Sequence, residues 1–310
     1  MGKKAVLLFA GQGAQAVGMG RDLAEKYDVA RDLFAKADEQ LGFSLTETMF
    51  NGPSSELTRT SICQPALYVH GLACLELLKQ QVPDLEIAGV AGLSLGEFTA
   101  HAAAGTFDFS TGLELVAQRG SFMEEATNAT EGSMAAMIGG DDEKVKELAE
   151  ACGIDVANYN APGQIVVSGS KEGVAKALHL ASDFGIRIFK ELDVAGAYHS
   201  RLMMKAQEKL AGVLALTKLN TPSLPVTSNV EGQLVSESHD IKRTLEAQVS
   251  GSVRWTDCVQ HFIRAGETQF IELGPGRVLA GLMRRIDRSV KTYSFADVEG
   301  LESVVSALAE

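Results

Sequence analysis

Short apolar runs alternate with longer amphipathic stretches over much of the chain. The runs KAVLLFA (4–10) and LEIAGVAG (85–92) have the length and composition of buried strands, whereas residues 21–41 and 65–81 carry helical periodicity. Strands that alternate with helices are typical of a protein built on a largely parallel sheet. The pattern therefore predicts an α/β fold.

Local signals predict where two of the helices begin. Pro65 suits the first turn of its helix, because its missing N–H would have no acceptor within the helix there. Thr111 and Glu114 match a capping box at the start of a helix that runs to about Ala126.

The middle of the chain follows a different order. From Ser133 to Val194 the pattern predicts strand, helix, strand, strand, helix and strand, which is the βαββαβ order of a ferredoxin-like unit. We expect residues 129–196 to form a small ferredoxin-like domain, inserted into a large α/β domain made of 1–128 and 197–310. A cleft between two domains is a favoured position for a ligand site.

Composition narrows the possible functions. Of 310 residues, 45% are hydrophobic and 22% are charged, which is sufficient for a core that folds without disulfides or metals. There are 28 lysines and arginines against 40 acidic residues, giving a net charge of −12. This balance argues against non-specific binding to nucleic acid or to an anionic membrane surface.

Neither a membrane segment nor a metal site is expected. The apolar run after Lys4 is shorter than that of a secretory signal, and no apolar run approaches membrane-spanning length. The cysteines lack disulfide or zinc spacing, which favours free thiols in a reducing cytoplasm: Cys63, Cys74, Cys152 and Cys258. We therefore expect a cytoplasmic monomer.

The strongest candidate for chemistry is Ser94. Residues 92–96 (GLSLG) fit the G-x-S-x-G nucleophile elbow, in which a sharp strand-to-helix turn exposes the serine hydroxyl. The start of the following helix favours negative charge, and the Leu95 N–H can donate to an oxyanion. The alternative is an inert serine in a glycine-rich turn, but the position between strand and helix favours a nucleophile.

A serine nucleophile needs a base, and His199 stands apart from the other five histidines. It lies where the chain crosses between the predicted domains, just before a helix. A helix N-terminus disfavours the imidazolium form and keeps the ring able to accept a proton. A surface histidine that caps this helix is an equally good interpretation of the residues alone.

Two polar residues interrupt apolar helix faces. Arg119 shares a face with Leu115 and Phe122, and Gln248 shares one with Leu245. A buried arginine requires an anionic partner, either an internal glutamate, which the residues alone slightly favour, or the carboxylate of a substrate. A core-facing glutamine usually satisfies backbone groups.

The loop after the first strand, GQGAQA (11–16), imitates a dinucleotide-binding fingerprint. That interpretation needs a second strand ending in an acidic residue about twenty positions later, whereas 21–41 is predicted to be helical. The loop better suits a glutamine, Gln12, that donates into a reaction site.

Together these motifs resemble the malonyl-CoA:acyl carrier protein transacylase family, and the resemblance runs nearly from end to end. Independent motifs occur in the right order: FAGQGAQ (9–15), GLSLGE (92–97), AQRG (117–120), NAPGQIVVSG (160–169), GAYHSRLM (196–203), SNV (228–230), VRW (253–255) and ELGPGRVLAGL (272–282). The fold that the resemblance implies is an α/β-hydrolase-like large domain with a ferredoxin-like insertion.

The resemblance also implies a role for each matching residue. Ser94 matches the acylated nucleophile and His199 its partner. The other matches are Gln12 and the Leu95 backbone in the oxyanion hole, Arg119 on the malonyl carboxylate, Gln248 with a backbone carbonyl that orients the histidine, and Asn160 and Asn229 in supporting positions.

Three positions depart from the family pattern. Leu93 replaces the usual histidine of GHSLGE and cannot form its hydrogen bonds, so elbow support or acyl preference is expected to differ. Ala10 replaces a proline. Tyr198 occupies the position before the histidine, where the family commonly has phenylalanine. A bulky aromatic residue at this position resembles the members that select malonyl over methylmalonyl.

The implied substrates are malonyl-CoA and acyl carrier protein, with no cofactor, because the CoA and phosphopantetheine thioesters are themselves substrates. An acidic carrier protein needs a local basic surface on this acidic chain. The candidates for this basic patch are Arg284, Arg285, Arg288, Lys190 and Lys291, for which a solvated helix face is the alternative. A serine esterase, an acyltransferase of a polyketide pathway and a non-catalytic carrier-binding scaffold are the rival functions.

Overall fold

The computed structural model describes residues 3–309. The strands are β1 (Lys4–Phe9), β2 (Glu86–Gly92), β3 (Gly132–Ile138), β4 (Asp155–Ala161), β5 (Gln164–Ser170), β6 (Ile188–Glu191), β7 (Val226–Thr227), β8 (Leu234–Val235), β9 (Gln269–Leu273) and β10 (Lys291–Phe295). The helices of the first half are α1 (Arg21–Lys26), α2 (Asp28–Leu41), α3 (Leu45–Asn51), α4 (Ser54–Leu57), α5 (Thr60–Gln81), α6 (Leu95–Ala103) and α7 (Phe109–Asn128). Those of the second half are α8 (Asp142–Cys152), α9 (Lys171–Leu180), α10 (Met204–Leu216), α11 (Ser238–Ala247), α12 (Trp255–Arg264), α13 (Val278–Ile286) and α14 (Val298–Ala309).

The larger sheet has the order β10-β9-β1-β2-β7-β8, and its first five strands are parallel. Its central strand β1 is buried on both faces. Leu7 and Phe9 point into a core shared with α2, α5, α6 and α7, whereas Val6 and Leu8 point towards α12 and α13. A parallel strand that is covered on both faces has apolar residues at successive positions, and KAVLLFA (4–10) has this pattern.

The smaller sheet is antiparallel and has the order β4-β5-β3-β6. This is the strand order of a ferredoxin-like unit, and α8 and α9 pack against it through a separate apolar core. The predicted fold class is therefore confirmed. We propose that residues 129–196 are the small domain and that 1–128 and 197–310 are the large one, of which residues 1, 2 and 310 lie outside the described part.

Backbone hydrogen bonds join the smaller sheet to the segment that precedes α12. Asn158 of β4 forms a parallel bridge with Val253, whose N–H donates to the Ala157 oxygen at 2.8 Å. The Tyr159 N–H donates to the Val253 oxygen at 2.9 Å. Because these bonds fix β4 beside the start of α12, the small domain forms one wall of the cleft.

Three helix boundaries differ from the sequence prediction. The stretch 21–41 is two helices, because Tyr27 is extended (φ −126°). Pro65 lies inside α5 rather than in its first turn, since the helix begins at Thr60. The prediction of a capping box at Thr111 and Glu114 is wrong. Helix α7 begins at Phe109, and its N-cap is Asp108, whose carboxylate accepts the Thr111 N–H at 2.7 Å.

One helix corrects the expectation about membrane-spanning length. Helix α5 is long and apolar enough to cross a membrane by length and composition alone. However, 83% of its most apolar 18-residue window is buried inside the protein. A helix that is apolar all round is also what the core of a large protein requires, so α5 is a core helix.

The tightest backbone approach that shapes the cleft is the turn from β2 into α6. A Cβ atom on Gly92 would overlap the Gly96 carbonyl, and one on Gly96 would overlap the Phe9 carbonyl of β1. Glycine at both positions therefore lets α6 start directly against the sheet, with Ser94 at the apex of the turn.

Gly92→Ala is expected to destabilise the protein by about 3 kcal/mol, because the added methyl group meets backbone that cannot move aside cheaply. The matched control is Gly212→Ala in α10, an exposed helical position where a Cβ meets nothing within 4 Å. That change should raise the free energy of unfolding by about 0.5–1 kcal/mol. Urea denaturation checks both, and a Gly92→Ala protein as stable as the wild type would refute the tight elbow.

Candidate active site

A cavity of about 270 Å³ lies between the two sheets, beyond the carboxyl ends of β1 and β2. Its wall includes most of the residues singled out from sequence, from both domains: Gln12, Ser94, Arg119, Asn160, Tyr198 and His199. The carboxyl edge of an open parallel sheet is a general ligand position. The structure thus brings together residues that are up to 187 positions apart (199 minus 12).

Ser94 and His199 are in direct contact at the base of this cavity. The Ser94 Oγ lies 2.8 Å from His199 Nε2, and the two side chains are 9% and 4% exposed. Within residues 3–309 these are also the only non-glycine residues with positive φ, each at 55°. Strained backbone of this kind persists where surrounding structure holds it, commonly at functional sites.

The histidine ring is oriented by backbone carbonyls. His199 Nδ1 lies 2.8 Å from the Gln248 oxygen and 3.1 Å from the Gly251 oxygen. Because both partners can only accept, Nδ1 carries the proton and Nε2 faces Ser94 with its lone pair. Burial, with Arg119 nearby, lowers the pKa of His199 to about 4, so the ring is neutral at neutral pH.

Arg119 is 1% exposed, and its hydrogen bonds go to uncharged groups. It donates to Gln64 Oε1 at 2.6 Å, to Gln248 Oε1 at 2.8 Å and to Ser94 Oγ at 3.1 Å. Over residues 3–309 no carboxylate oxygen lies within 4.0 Å of its guanidinium, and its Nε is buried without an acceptor. The sequence left open an ion pair between Arg119 and an internal glutamate. Residues 3–309 contain no such pair.

The guanidinium nevertheless remains charged. Burial lowers the pKa of Arg119 to about 10, which is still well above neutral pH. The group also lies 5.3 Å from the centre of the Phe98 ring, a distance suited to a cation–π contact. The site thus holds a buried positive charge beside the serine hydroxyl.

Gln12 and Leu95, the residues expected to supply oxyanion donors, both lie just beyond strands of the larger sheet. The Gln12 side chain donates to Thr60 Oγ1 at 3.3 Å and to the Tyr198 hydroxyl at 3.4 Å. Leu95 is the first residue of α6, so its N–H has no acceptor within the helix. Both residues follow a strand end of the larger sheet, on the side where Ser94 faces the cavity.

Asn229 supports the elbow directly. Its Oδ1 accepts the Ser94 N–H at 2.7 Å, and its Nδ2 donates to the Gly92 oxygen at 2.8 Å. Asn160 instead lines the cavity, with a buried Oδ1 that has no partner among the described residues. The Tyr198 hydroxyl lies 2.6 Å from Thr60 Oγ1.

Three further polar residues surround these groups, and no sequence motif predicts a role for them: Gln64, Glu97 and Thr60. Each is buried, with at most 2% exposure, and each lies on α5 or α6. The signal that singled out Gln248, a polar residue within an apolar helix face, was also present for Gln64 in the run SICQPALYV (61–69). Leu93 joins Val278 and Leu282 to give the cavity an apolar side.

The basic residues proposed for carrier binding are distributed over both domains. Lys190 lies on the edge strand β6, while Arg284 and Arg285 are exposed in the last turn of α13. Lys291 opens β10 at the amino end of that parallel strand, whereas the cavity lies at the carboxyl edge of the sheet. The basic patch as a single surface stays a prediction.

No group of three histidine, cysteine, aspartate or glutamate side chains suited to a metal is found between residues 3 and 309. The four cysteines are buried free thiols.

Fold and geometry define the class: an α/β protein with a buried serine–histidine pair suited to acyl transfer. A model of the acyl transferase domain family matches residues 6–303. The malonyl CoA-acyl carrier protein transacylase of Bacillus subtilis is 40% identical over 99% of this chain and 98% of its own. This chain belongs to the acyl transferase family, as a member of its malonyl-CoA:acyl carrier protein transacylase group.

Solved structures agree with that assignment. An acyl carrier protein S-malonyltransferase from Vibrio cholerae has a TM-score of 0.93 at 37% identity, covering 97% of this chain and 99% of that one. A malonyl-transacylase in complex with its type II polyketide-synthase acyl-carrier protein has a TM-score of 0.93 at 34% identity, covering 98% and 99%.

The lowered pKa of His199 predicts how the reactivity of Ser94 depends on pH. The rate of Ser94 modification by a sulfonyl fluoride should be flat from pH 8 to about 5 and should fall with a midpoint of about 4. Peptide mass spectrometry measures the modification, and Ser94→Ala is the unreactive control. A midpoint near the ordinary histidine value of about 6.5 would contradict the buried neutral ring.

These rates need to be taken immediately after a pH jump. His70, His101 and His199 are buried with pKa values lowered to about 4, 3 and 4. The unfolded chain binds protons at these groups from about pH 6.5 downward, before the folded protein does. Folding stability contributed by the neutral rings is therefore present above pH 6.5 and is lost as the pH falls towards 4.

Proposed function

We propose that this protein transfers a malonyl group from malonyl-CoA to the phosphopantetheine thiol of acyl carrier protein, feeding fatty-acid biosynthesis. It is thus an [acyl-carrier-protein] S-malonyltransferase that works through a malonyl-Ser94 ester. One observation carries the proposal: Ser94 Oγ lies 2.8 Å from the neutral His199 and 3.1 Å from the buried guanidinium of Arg119, which has no carboxylate oxygen of residues 3–309 within 4.0 Å.

The first half-reaction acylates the serine. His199 Nε2 takes the Ser94 proton as Oγ attacks the thioester carbonyl, and the N–H groups of Gln12 and Leu95 hold the resulting oxyanion. As the tetrahedral intermediate collapses, the C–S bond breaks and His199 returns the proton to the CoA sulfur. The carrier thiol then enters and reverses these steps, so the histidine acts alternately as base and acid.

A carboxylate behind the histidine is not required for this exchange. The leaving thiol has a pKa of about 8.5, so it needs less acid assistance than the amine released from an amide. The carbonyls of Gln248 and Gly251 fix the tautomer and the ring orientation. That is the orienting part of the role that an aspartate has in a triad.

The geometry disfavours the esterase alternative. A serine esterase normally uses a triad acid, for which Asp193 is the nearest acidic residue before His199 in the sequence. Asp193 lines the cavity, but His199 Nδ1 is occupied by carbonyl oxygens instead. Hydrolysis of a simple ester also gives no reason for the buried Arg119.

We propose acyl carrier protein as the macromolecular partner, docking on a basic patch of a monomeric, cytoplasmic enzyme. The malonyl-transacylase of similar structure that is complexed with its acyl-carrier protein supports this partner. That carrier is of the type II polyketide class, which keeps a polyketide pathway as the second candidate. Competition between a fatty-acid carrier and a polyketide carrier for the malonylated enzyme distinguishes the two pathways.

The malonyl-enzyme is the direct test of the function. After mixing with malonyl-CoA and an acid quench, the intact mass of the wild type should increase by one malonyl group, while Ser94→Ala should show no adduct. His199→Ala should fold normally but acylate about 10²–10⁴-fold more slowly. The absence of a wild-type adduct would favour a scaffold, and an adduct lost to water without transfer to a carrier thiol would favour an esterase.

Arg119→Ala should impair malonyl transfer selectively. Removing the charged partner of the substrate carboxylate is expected to cost about 3 kcal/mol, or at least about 100-fold in kcat/KM for malonyl-CoA. Acetyl transfer should fall about tenfold at most, from the lost hydrogen bond to Ser94. Arg119→Lys keeps the charge without the bidentate fork and should lie between the two. Equal losses with both acyl groups would remove the carboxylate-binding role.

A further inference from the structure

One buried acidic side chain beneath the elbow has no part in the acyl transfer described above. Glu97 follows Ser94 by three residues on α6 and is 0% exposed. Glu272 is equally buried, but it accepts the N–H groups of Leu279 and Ala280 and so caps α13. Glu97 caps no helix, so its burial requires a different explanation.

A single oxygen of Glu97 makes both of its hydrogen bonds. Its Oε2 accepts Gln248 Nε2 at 2.7 Å and the Asn229 N–H at 3.2 Å. Both partners also hold the Ser94 backbone: Gln248 Nε2 donates to the Ser94 oxygen at 2.8 Å, and Asn229 accepts the Ser94 N–H. Glu97 therefore joins the two segments that fix the nucleophile.

These contacts also determine the orientation of the Gln248 side-chain amide, that is, the positions of its oxygen and its nitrogen. With Nε2 donating to Glu97 and to the Ser94 oxygen, Oε1 is left to accept from Arg119 at 2.8 Å. The reversed amide would face its NH₂ group towards the guanidinium and its carbonyl towards two acceptors. Glu97 thus favours the orientation that lets Gln248 hold Arg119.

Charge neutralisation does not explain Glu97. Neither of its oxygens lies within 4.0 Å of the Arg119 guanidinium, although Arg119 and the Cys258 thiol are titratable groups that face it from α7 and α12. Burial raises the pKa of Glu97 to about 8, so most of the carboxyl is uncharged at neutral pH. Its other oxygen, Oε1, has no partner among the described residues.

We propose that Glu97 is a positioning residue, whose Oε2 fixes the Gln248 amide and thereby holds Arg119 ready for the carboxylate of the acyl group. Glu97 acts by accepting hydrogen bonds at Oε2, which the length of its side chain places at a fixed distance from the backbone of α6. Its charge is dispensable. This inference rests on the proposed function, since a carboxylate-bearing acyl group is what Arg119 would be held for.

Two conservative variants separate positioning from charge. Glu97→Gln keeps the length and the accepting oxygen but loses the charge, and places its NH₂ group where Oε1 has no partner. Glu97→Asp keeps the charge but withdraws both oxygens by one methylene. The readouts are kcat and KM for malonyl-CoA and for acetyl-CoA, together with the thermal midpoint of each variant.

Glu97→Gln should keep the malonyl-to-acetyl preference within about threefold, whereas Glu97→Asp should lower it about tenfold, mainly through a higher KM for malonyl-CoA. If Glu97→Gln lost the malonyl-to-acetyl preference and Glu97→Asp kept it, Glu97 would act as a counter-ion, and the inference would be overturned. Equal losses with both acyl groups, or no loss in either variant, would also overturn it. If Glu97→Asp does not fold, Glu97→Met, which keeps the length without an acceptor, takes its place with the same expectation.

The wild-type malonyl adduct is measured in the same series. A wild type without an adduct contradicts the proposed function, and the inference falls with it. A wild type that forms the adduct, beside variants whose acyl preference is unchanged, overturns the inference alone.

Discussion

The rest of the site depends on the burial of one guanidinium that has no carboxylate partner in the described part of the chain. Transferring a charged group from water into a protein interior is strongly unfavourable unless hydrogen bonds and nearby dipoles replace the water. Arg119 donates to two amide oxygens, of Gln64 and Gln248, and lies over the ring of Phe98, but no carboxylate oxygen of residues 3–309 lies within 4.0 Å of it. It is therefore solvated well enough to stay in place, and an arriving carboxylate is its strongest available partner.

The fold supplies the means of holding these groups. Ser94 and Gln12 follow two adjacent parallel strands, so their positions are fixed by the sheet, while Arg119 and Gln248 come from α7 and the end of α11. Buried hydrogen bonds then connect the elements through Asn229, Gln248 and Glu97. Side chains held by several hydrogen bonds in a low-dielectric interior have few alternative arrangements, which is what a preorganised site requires.

Much of this could be predicted from the sequence because the relevant signals are local. The elbow is a short glycine pattern at a strand end, and the anomaly at Arg119 is visible in helix periodicity alone. The partners of Arg119 could not be predicted in the same way, because Gln64 lies 55 residues away and its proximity is a result of helix packing. The helix boundaries at Tyr27 and Asp108 were missed for a different reason, since cap geometry depends on the path of the preceding chain.

The same buried charge explains why carbonyl oxygens, and not a carboxylate, stand behind His199. The Gln248 backbone oxygen lies 2.8 Å from His199 Nδ1, while the side chain of that residue lies 2.8 Å from Arg119. An aspartate in this position would bring a full negative charge close to both the imidazole and the guanidinium. It would neutralise Arg119 internally and compete with the carboxylate of the substrate. With the role proposed for Arg119, a backbone carbonyl orients the imidazole and leaves the guanidinium available to the carboxylate of the acyl group. This accounts for carbonyl oxygens, among residues 3–309, in the place where a triad would have its acid.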